Sequence, residues 1–543
     1  MQAESSVPWR EVEKACKGLA SRFAQLLAAP EPVQRALLSS LIAGNGDTQF
    51  GKDFGFHDIR SYEDFAARVP IATYEAFRPY IGRIAQGSER ELTADPVLFV
   101  ELTGGSTGGS KVIPHTQGSL DAYSRALTTW LSDALERWPA IAAGRAYFAV
   151  SPVGRAADQR MGAVPIGSAD QFGYLGGMGE AVARLSVVPL ALALVEDFEA
   201  WQFATCLHLL AARDLSLIWV WSPTYLSELL QVIMRRKRGL LEALGHGNGG
   251  AAPLPAPDPL RAAQLSTLIG EERLDAAQIW PNLRVISCWM DGSSAPFAAQ
   301  LRNMFPHVAF QAKGLMATEG ATTLPFGQGA GAPLAIESGF FEFADETGRT
   351  WPAWELEHGD IRRVILSNAS GLYRYDTQDL VEVVGFEGAT PRLRFLGRTG
   401  GASDICGEKL TEAFVLRAIE QCIGPGRYAF LAPRLDPHPH YELWIEGRAE
   451  AGELHRTAEA IDTALGENPQ YVYARRLGQL GPVDARSAPS LFEQYRLWSV
   501  AQGRSVGALK ACALLPELPA DFRALLRPHL ASSGPLHGRY NES

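Results

Sequence analysis

The nine residues from Thr103 to Lys111, T-G-G-S-T-G-G-S-K, bring glycines, hydroxyl side chains and one lysine together. Glycines such as Gly105 and Gly108 let backbone N–H groups converge on an anion, because they tolerate backbone angles that other residues avoid. The hydroxyls of Thr103, Ser106 and Thr107 can donate further hydrogen bonds, and Lys111 adds a cation. Such a loop suits a polyphosphate. Three other readings compete with it. A P-loop requires G-x-x-x-x-G-K-[ST], but here Ser110 separates Gly109 from Lys111, and Pro114 blocks an immediate helix. The run Gly104 to Gly108 also satisfies G-x-S-x-G, which would make Ser106 a hydrolase nucleophile. That motif needs a helix directly after the serine, whereas Lys111 to His115 reads as extended. The third reading is a glycine-rich turn that holds nothing, and the loop alone does not separate it from a phosphate cradle.

The elements around the loop follow from periodicity. A short apolar run at Val97 to Val100 predicts a strand before it, and the amphipathic stretch Leu120 to Leu135 predicts a helix after it. Further short apolar runs, 146–150, 217–220, 285–288 and 364–366, alternate with helix-length segments, the pattern of an α/β sheet. The first 90 residues read as mainly helical, and the apolar run 185–195, interrupted by Pro189, reads as buried core. The stretch 245–259, rich in Gly, Ala and Pro, reads as a surface loop. After Arg398 the character changes through Gly400-Gly401. A helix over 411–419, strands at 428–431 and 441–445 and a helix over 454–465 then describe a small α+β domain. The expectation is an α/β large domain over 1–397 and a smaller α+β C-terminal domain over 398–543, joined by a hinge, with a tail from Ser532.

Bulk properties narrow the function. A chain of 543 residues exceeds what one core supports. With 60 acidic against 50 basic side chains the net charge is −10, which excludes a broad nucleic-acid face. The six cysteines form no C-x-x-C pair, so neither a zinc site nor a disulfide framework is expected. No signal peptide or membrane-spanning run is evident, so the expectation is a cytoplasmic protein with no membrane and no protein partner.

Several short motifs then occur in a fixed order: K-V-I-P-H-T (111–116), W-P-N-L (280–283), A-T-E-G (317–320), G-F-F-E-F (339–343), G-L-Y-R-Y-D-T-Q-D (371–379) and G-R-T-G-G-A-S-D (397–404). Together with the glycine-rich loop they resemble the adenylate-forming superfamily of acyl-CoA synthetases, adenylation domains and luciferases. More narrowly, they resemble the auxin-responsive acyl acid amido synthetases and their bacterial relatives. The resemblance implies ATP and Mg2+ as cofactors and a reaction in which a small carboxylic acid becomes an acyl-AMP and its acyl group is passed to an amine, with an amino acid the expected acceptor. It implies that Thr103, Gly105, Ser106, Thr107 and Gly108 cradle the nucleotide with Lys111, and that Thr318 and Glu319 lie at the α-phosphate with Glu319 on Mg2+. It further implies that Asp379 grips the ribose, that Arg398 contacts ribose or phosphate, and that Lys510 is the adenylation lysine of a C-terminal domain that turns about the hinge. The chain departs from the pattern at Gly104, Leu315, Asp376 and Gln378. An acyl-CoA ligase shares the first half-reaction and is the main alternative; a hydrolase using Ser106 and a nucleotide-binding scaffold are the others. Tyr123, Leu127 and Trp130 share one face of the helix after the loop, as core packing or as an apolar acyl pocket would require.

Overall fold

A computed structural model describes residues 2–103, 111–149, 159–167, 178–247, 253–270, 273–399, 403, 405–406, 408–424, 426–435, 438–477, 479–502 and 509–526. The loop residues 104–110, the Gly400-Gly401 pair and the tail expected from Ser532 lie outside them. The chain divides into two compact units, one of residues 1–291 and 301–396, the other of 292–300 and 397–543.

In the first unit the N-terminal segment is helical, as expected, with helices Gln2–Cys16, Leu19–Leu27, Pro30–Asn45 and Tyr74–Ala85 among its elements. These helices brace the strands that follow. Tyr74 accepts a hydrogen bond from the Val112 N–H at 3.0 Å, and Ala72 pairs in parallel with Tyr375. Phe50, stacked on Phe77 and Tyr373, fixes the same contact from the apolar side.

Strands β1 (Phe99–Thr103) and β2 (Lys111–His115) form an antiparallel hairpin in which Thr103 faces Lys111 across its mouth. The glycine-rich segment therefore joins two strands of one hairpin. Among the described residues the first helix after Thr103 begins at Gln117, beyond β2. It runs Gln117–Arg137, two to three residues beyond the apolar stripe at each end. Thr116 caps it, accepting from the Ser119 N–H at 3.2 Å.

Four parallel strands, β3 (Arg145–Phe148), β4 (Leu215–Trp219), β5 (Val285–Cys288) and β6 (Ala309–Ala312), pair in that order. Their apolar runs are those of a sheet covered on both faces. After β6 come the short strands β7 (Met316–Ala317) and β8 (Gly320–Ala321), which pair with each other. A six-stranded sheet follows, built from β9 (Ala332–Pro333), β10 (Phe340–Ala344), β11 (Thr350–Pro352), β12 (Ile361–Ser367), β13 (Tyr375–Glu387) and β14 (Thr390–Arg398). Its spatial order is β9-β14-β13-β12-β10-β11.

The second unit centres on β15 (Ala429–Arg434), β16 (His440–Glu446) and β17 (Asp484–Ala488), with β15 antiparallel and β17 parallel to β16. Helices Glu412–Ile423 and Ala451–Leu465 cover one face. The sequence pattern did not signal β17, because D-A-R-S-A holds no apolar run; its small side chains fit beside the helix Ala451–Leu465. Residues 292–300 join this unit through Phe297, whose ring lies 4.6 Å from Phe492 and 5.5 Å from Tyr428. Burying one such ring contributes roughly 2–3 kcal/mol.

Candidate active site

Lys111 opens β2, and its Nζ donates to the Tyr375 hydroxyl at 3.0 Å. That hydroxyl in turn donates to Glu319 Oε1 at 3.4 Å. A cation, a phenol and a carboxylate thus stand in one line, contributed by three separate strand systems. Glu319 follows Thr318 in the tight turn between β7 and β8, and the turn is held from both sides. Tyr123, from the helix after the hairpin, donates to the Ala317 carbonyl at 2.9 Å, and Asn368 Nδ2 donates to the Glu319 carbonyl at 2.6 Å. Gly320 is required here, since a Cβ would come within 3.3 Å of Leu366 and 3.4 Å of Asn368. Thr318 and Glu319 border a small cleft that His115, Ser119, Tyr123 and Asn368 complete. Burial pulls the His115 pKa down to about 4, so this ring, stacked on Phe99 at 4.9 Å, is neutral near pH 7.

Tyr375 itself is positioned by Arg374. The Arg374 guanidinium bonds Glu342 in two places, at 2.9 and 2.8 Å, and reaches the Ala66 and Val69 carbonyls and the Thr350 hydroxyl. Both members of the pair are buried, so every donor of this fork has a defined task.

Asp376 and Gln378, which depart from the motif, build the turn that presents Asp379. Pairing of β12 with β13 shifts between Arg363, opposite Leu380, and Ile365, opposite Asp376, so extra residues bulge out. Gln378 takes a left-handed conformation, φ 63°, and its N–H is accepted by Asp376 Oδ1 at 2.9 Å. Arg363 pairs with the same carboxylate. Burial raises the Asp376 pKa, while Arg363 and Lys111 oppose the rise and the Asp379 charge adds to it. Asp379 is 3% exposed, and its N–H donates to Thr377 Oγ1 at 3.2 Å.

Arg398 and Lys510 belong to the second unit, where both act on one carboxyl. Glu412 is half-buried and its pKa is raised by desolvation; the Ala513 N–H, at 3.0 Å, and the charges of Arg398 and Lys510 counter the rise. Lys510 is exposed. The structure thus gathers Lys111, Thr318, Glu319 and the Asp379 turn in one unit, and Arg398 with Lys510 in the other. Thr103 contributes its backbone to the hairpin, and Gly105, Ser106, Thr107 and Gly108 fall outside the described residues. Tyr375, Asn368 and Glu412 were not singled out from the sequence. Tyr375 stood inside a motif, but nothing in its spacing marked it as the link between Lys111 and Glu319.

For a divalent cation, the described residues assemble one set of three His, Asp or Glu side chains, His440, Glu442 and Asp484. Its Glu442 already pairs with Arg434 at 2.9 Å and Arg523 at 2.8 Å. Glu319 offers a single carboxylate, 7% exposed, which accepts one long hydrogen bond, from Tyr375, among the described residues. That suits Mg2+, which usually takes one or two carboxylates and completes its shell with phosphate oxygens and water.

Models of two domains match the chain: the GH3 family N-terminal domain over residues 19–310 and the GH3 family central domain over 332–398. Among curated relatives, a probable indole-3-acetic acid-amido synthetase, GH3.12 of Oryza sativa subsp. japonica, is 23% identical over 88% of this chain and 90% of its own. Among solved structures, the GH3.15 acyl acid amido synthetase in complex with 2,4-DB superposes with a TM-score of 0.82 at 17% identity, covering 94% of this chain and 95% of that one. A 2-hydroxyisobutyryl-CoA ligase in the postadenylation state superposes with a TM-score of 0.51 at 13% identity, covering 96% and 93%. The expected α/β large unit with a smaller C-terminal one is therefore the fold of adenylate-forming ligases.

Proposed function

Since the chain belongs to the GH3 family, we propose that it is an ATP-dependent amide synthetase that converts a small carboxylic acid to its acyl-AMP and passes the acyl group to the amino group of an amino acid. The observation that carries this reading is the line Lys111–Tyr375–Glu319 at the mouth of the β1–β2 hairpin, because it sets a cation and a metal-competent carboxylate where the glycine-rich loop closes. Relatives that act on indole-3-acetic acid, and a neighbour holding 2,4-DB, support a small organic acid as substrate.

A carboxylate repels nucleophiles and must first be activated. In the first half-reaction one carboxylate oxygen attacks the α-phosphorus of ATP, and pyrophosphate leaves with the electrons of the broken P–O bond. Lys111 meets the negative charge of the phosphates, and Glu319 would hold Mg2+, which would supply further charge neutralisation. Asp379 accepts hydrogen bonds from the ribose diol. Arg398 and Lys510, on the second unit, add positive charge at the anhydride as it forms, with residues 398–543 turning about Gly400-Gly401 between the two half-reactions. In the second, the amine attacks the acyl carbon, AMP leaves, and the amine gives up a proton. His115, uncharged at neutral pH, keeps the cleft from adding a competing positive charge beside Thr318.

The test is product analysis with ATP, Mg2+, a panel of small carboxylic acids and pooled amino acids. The expected products are an N-acyl amino acid, AMP and pyrophosphate. Consumption of the adenylate by CoA in preference to every amino acid would convert the reading to an acyl-CoA ligase. Ester cleavage without ATP would replace it with a hydrolase.

A further inference from the structure

The parallel sheet carries a second polar cluster that the proposed half-reactions leave unused. Lys313 follows β6 and extends its ladder, its N–H donating to the Cys288 carbonyl at 2.9 Å. Its side chain has no exposed surface, yet Nζ makes no hydrogen bond among the described residues. The amine lies 3.3 Å from the centroid of the Trp219 ring and 4.8 Å from that of Trp221. Burial drives its pKa far below the ordinary lysine value. Two more buried groups lack hydrogen-bond partners among the described residues: Ser287 Oγ and Gln311 Nε2. Register places them together. Trp219 pairs with Ser287, and Ser287 with Gln311, so the three share one sheet face, and Lys313 is two residues beyond Gln311 on the same strand line.

Three unused hydrogen-bond donors buried on one face of a sheet are a large cost unless something accepts from them. They lie at the carboxyl ends of parallel strands, where α/β sheets bind ligands. The half-buried rings of Trp219 and Trp221 form an apolar wall beside them. The helix Gln117–Arg137 ties this cluster to the reaction cleft. Tyr123 holds the Thr318–Glu319 turn, and seven residues along, Trp130 donates to Gln311 Oε1 at 2.6 Å. Seven residues of helix span about 10 Å, the length of a small aromatic acid with a substituent.

We propose that Lys313, with Gln311 and Ser287, is the specificity-determining far end of the acyl-acid pocket, and that it selects acids carrying a second carboxylate remote from the one that is activated. This rests on the reading that the Thr318–Glu319 cleft activates a carboxylic acid. An arriving carboxylate brings the negative charge that offsets the cost of burying the ammonium. The tryptophan wall takes the ring between the two carboxyl groups.

The test uses two probes of one shape, 4-carboxyphenylacetate and 4-methylphenylacetate, titrated into the full chain without ATP and followed by tryptophan fluorescence. Wild type should bind the dicarboxylate at least 10-fold more tightly. In Lys313→Met, an apolar replacement of similar length, that preference should reverse, with a 100-fold loss for the dicarboxylate and no loss for the methyl compound. Pyrophosphate release should follow the same order in KM, with kcat retained. Equal affinities in wild type, tighter binding of the methyl compound, no binding of either probe, or an unchanged preference in Lys313→Met would each overturn the proposal. The wild-type comparison decides even if the variant fails to fold. Pyrophosphate release with other acids, while the two probes fail, would sink this inference and leave the amide-synthetase reading intact.

Discussion

Lys111 and Lys313 stand in the same unit, but their surroundings are opposite. Lys111 is half-buried, and its ammonium has a hydroxyl partner in Tyr375. Lys313 is fully enclosed against two indole rings, with no hydrogen-bond partner among the described residues. An amine with a polar partner at a cleft can carry charge at rest and meet a polyphosphate. An amine enclosed by aromatic rings is disfavoured in its charged form, and an anion that enters offsets that penalty. The first is built to neutralise, the second to discriminate.

The comparison can be broken at its foundations first. Arg374→Met leaves Glu342 as an unpaired buried carboxylate behind Tyr375, and a loss of about 3–5 kcal/mol in urea unfolding is expected, with Lys111 no longer held. Lys111→Met should fold as wild type but lose about 100- to 1000-fold in pyrophosphate release, whereas Lys313→Met should release pyrophosphate from a monocarboxylic acid at the wild-type rate. Equal losses in the two variants would erase the distinction between them.

The pH dependence separates the lysines further. Lys313 has a folded pKa below its unfolded one, so the unfolded chain binds more protons in that window and wild-type stability rises with pH up to the ordinary lysine value. This contribution has a slope of at most about 1.4 kcal/mol per pH unit, and it should appear as a difference in unfolding free energy between wild type and Lys313→Met that grows from pH 7 to 10. Tyr375→Phe removes both hydrogen bonds that link Lys111 to Glu319, and about a tenfold fall in kcat is expected from steady-state rates. The smallest effect is Thr116→Ala, about 1 kcal/mol from the lost helix cap, read as a modest drop in Tm.

Much of this was legible in the residues. Apolar runs located β3, β4, β5 and the core of β12, because strands covered on both faces must be continuous in hydrophobicity. The motifs pointed to Thr318, Glu319 and the segment 371–379 before any geometry was known. What the sequence hid was of two kinds. Asp376 and Gln378 read as departures from a pattern, yet they form the bulge behind Asp379, a backbone device that no spacing rule reports. Lys313 sits in Q-A-K-G-L, which no motif or apolar run marks; the register of β5 against β6 and the reach of Trp130 reveal its enclosure. The inclusion of 292–300 in the second unit escaped for the same reason, since the Phe297 ring and the Gln300 side chain join it through contacts more than a hundred residues away.

The central claim is that an acid is activated as its adenylate before any amine takes part. Exchange of labelled pyrophosphate into ATP tests this directly, measured with Mg2+ and a carboxylic acid in the absence of amino acids. The account predicts exchange that depends on the acid, needs no amine, and falls by about 100- to 1000-fold in Lys510→Ala. Amide formation without any such exchange, accompanied by ADP and phosphate in place of AMP and pyrophosphate, would contradict it.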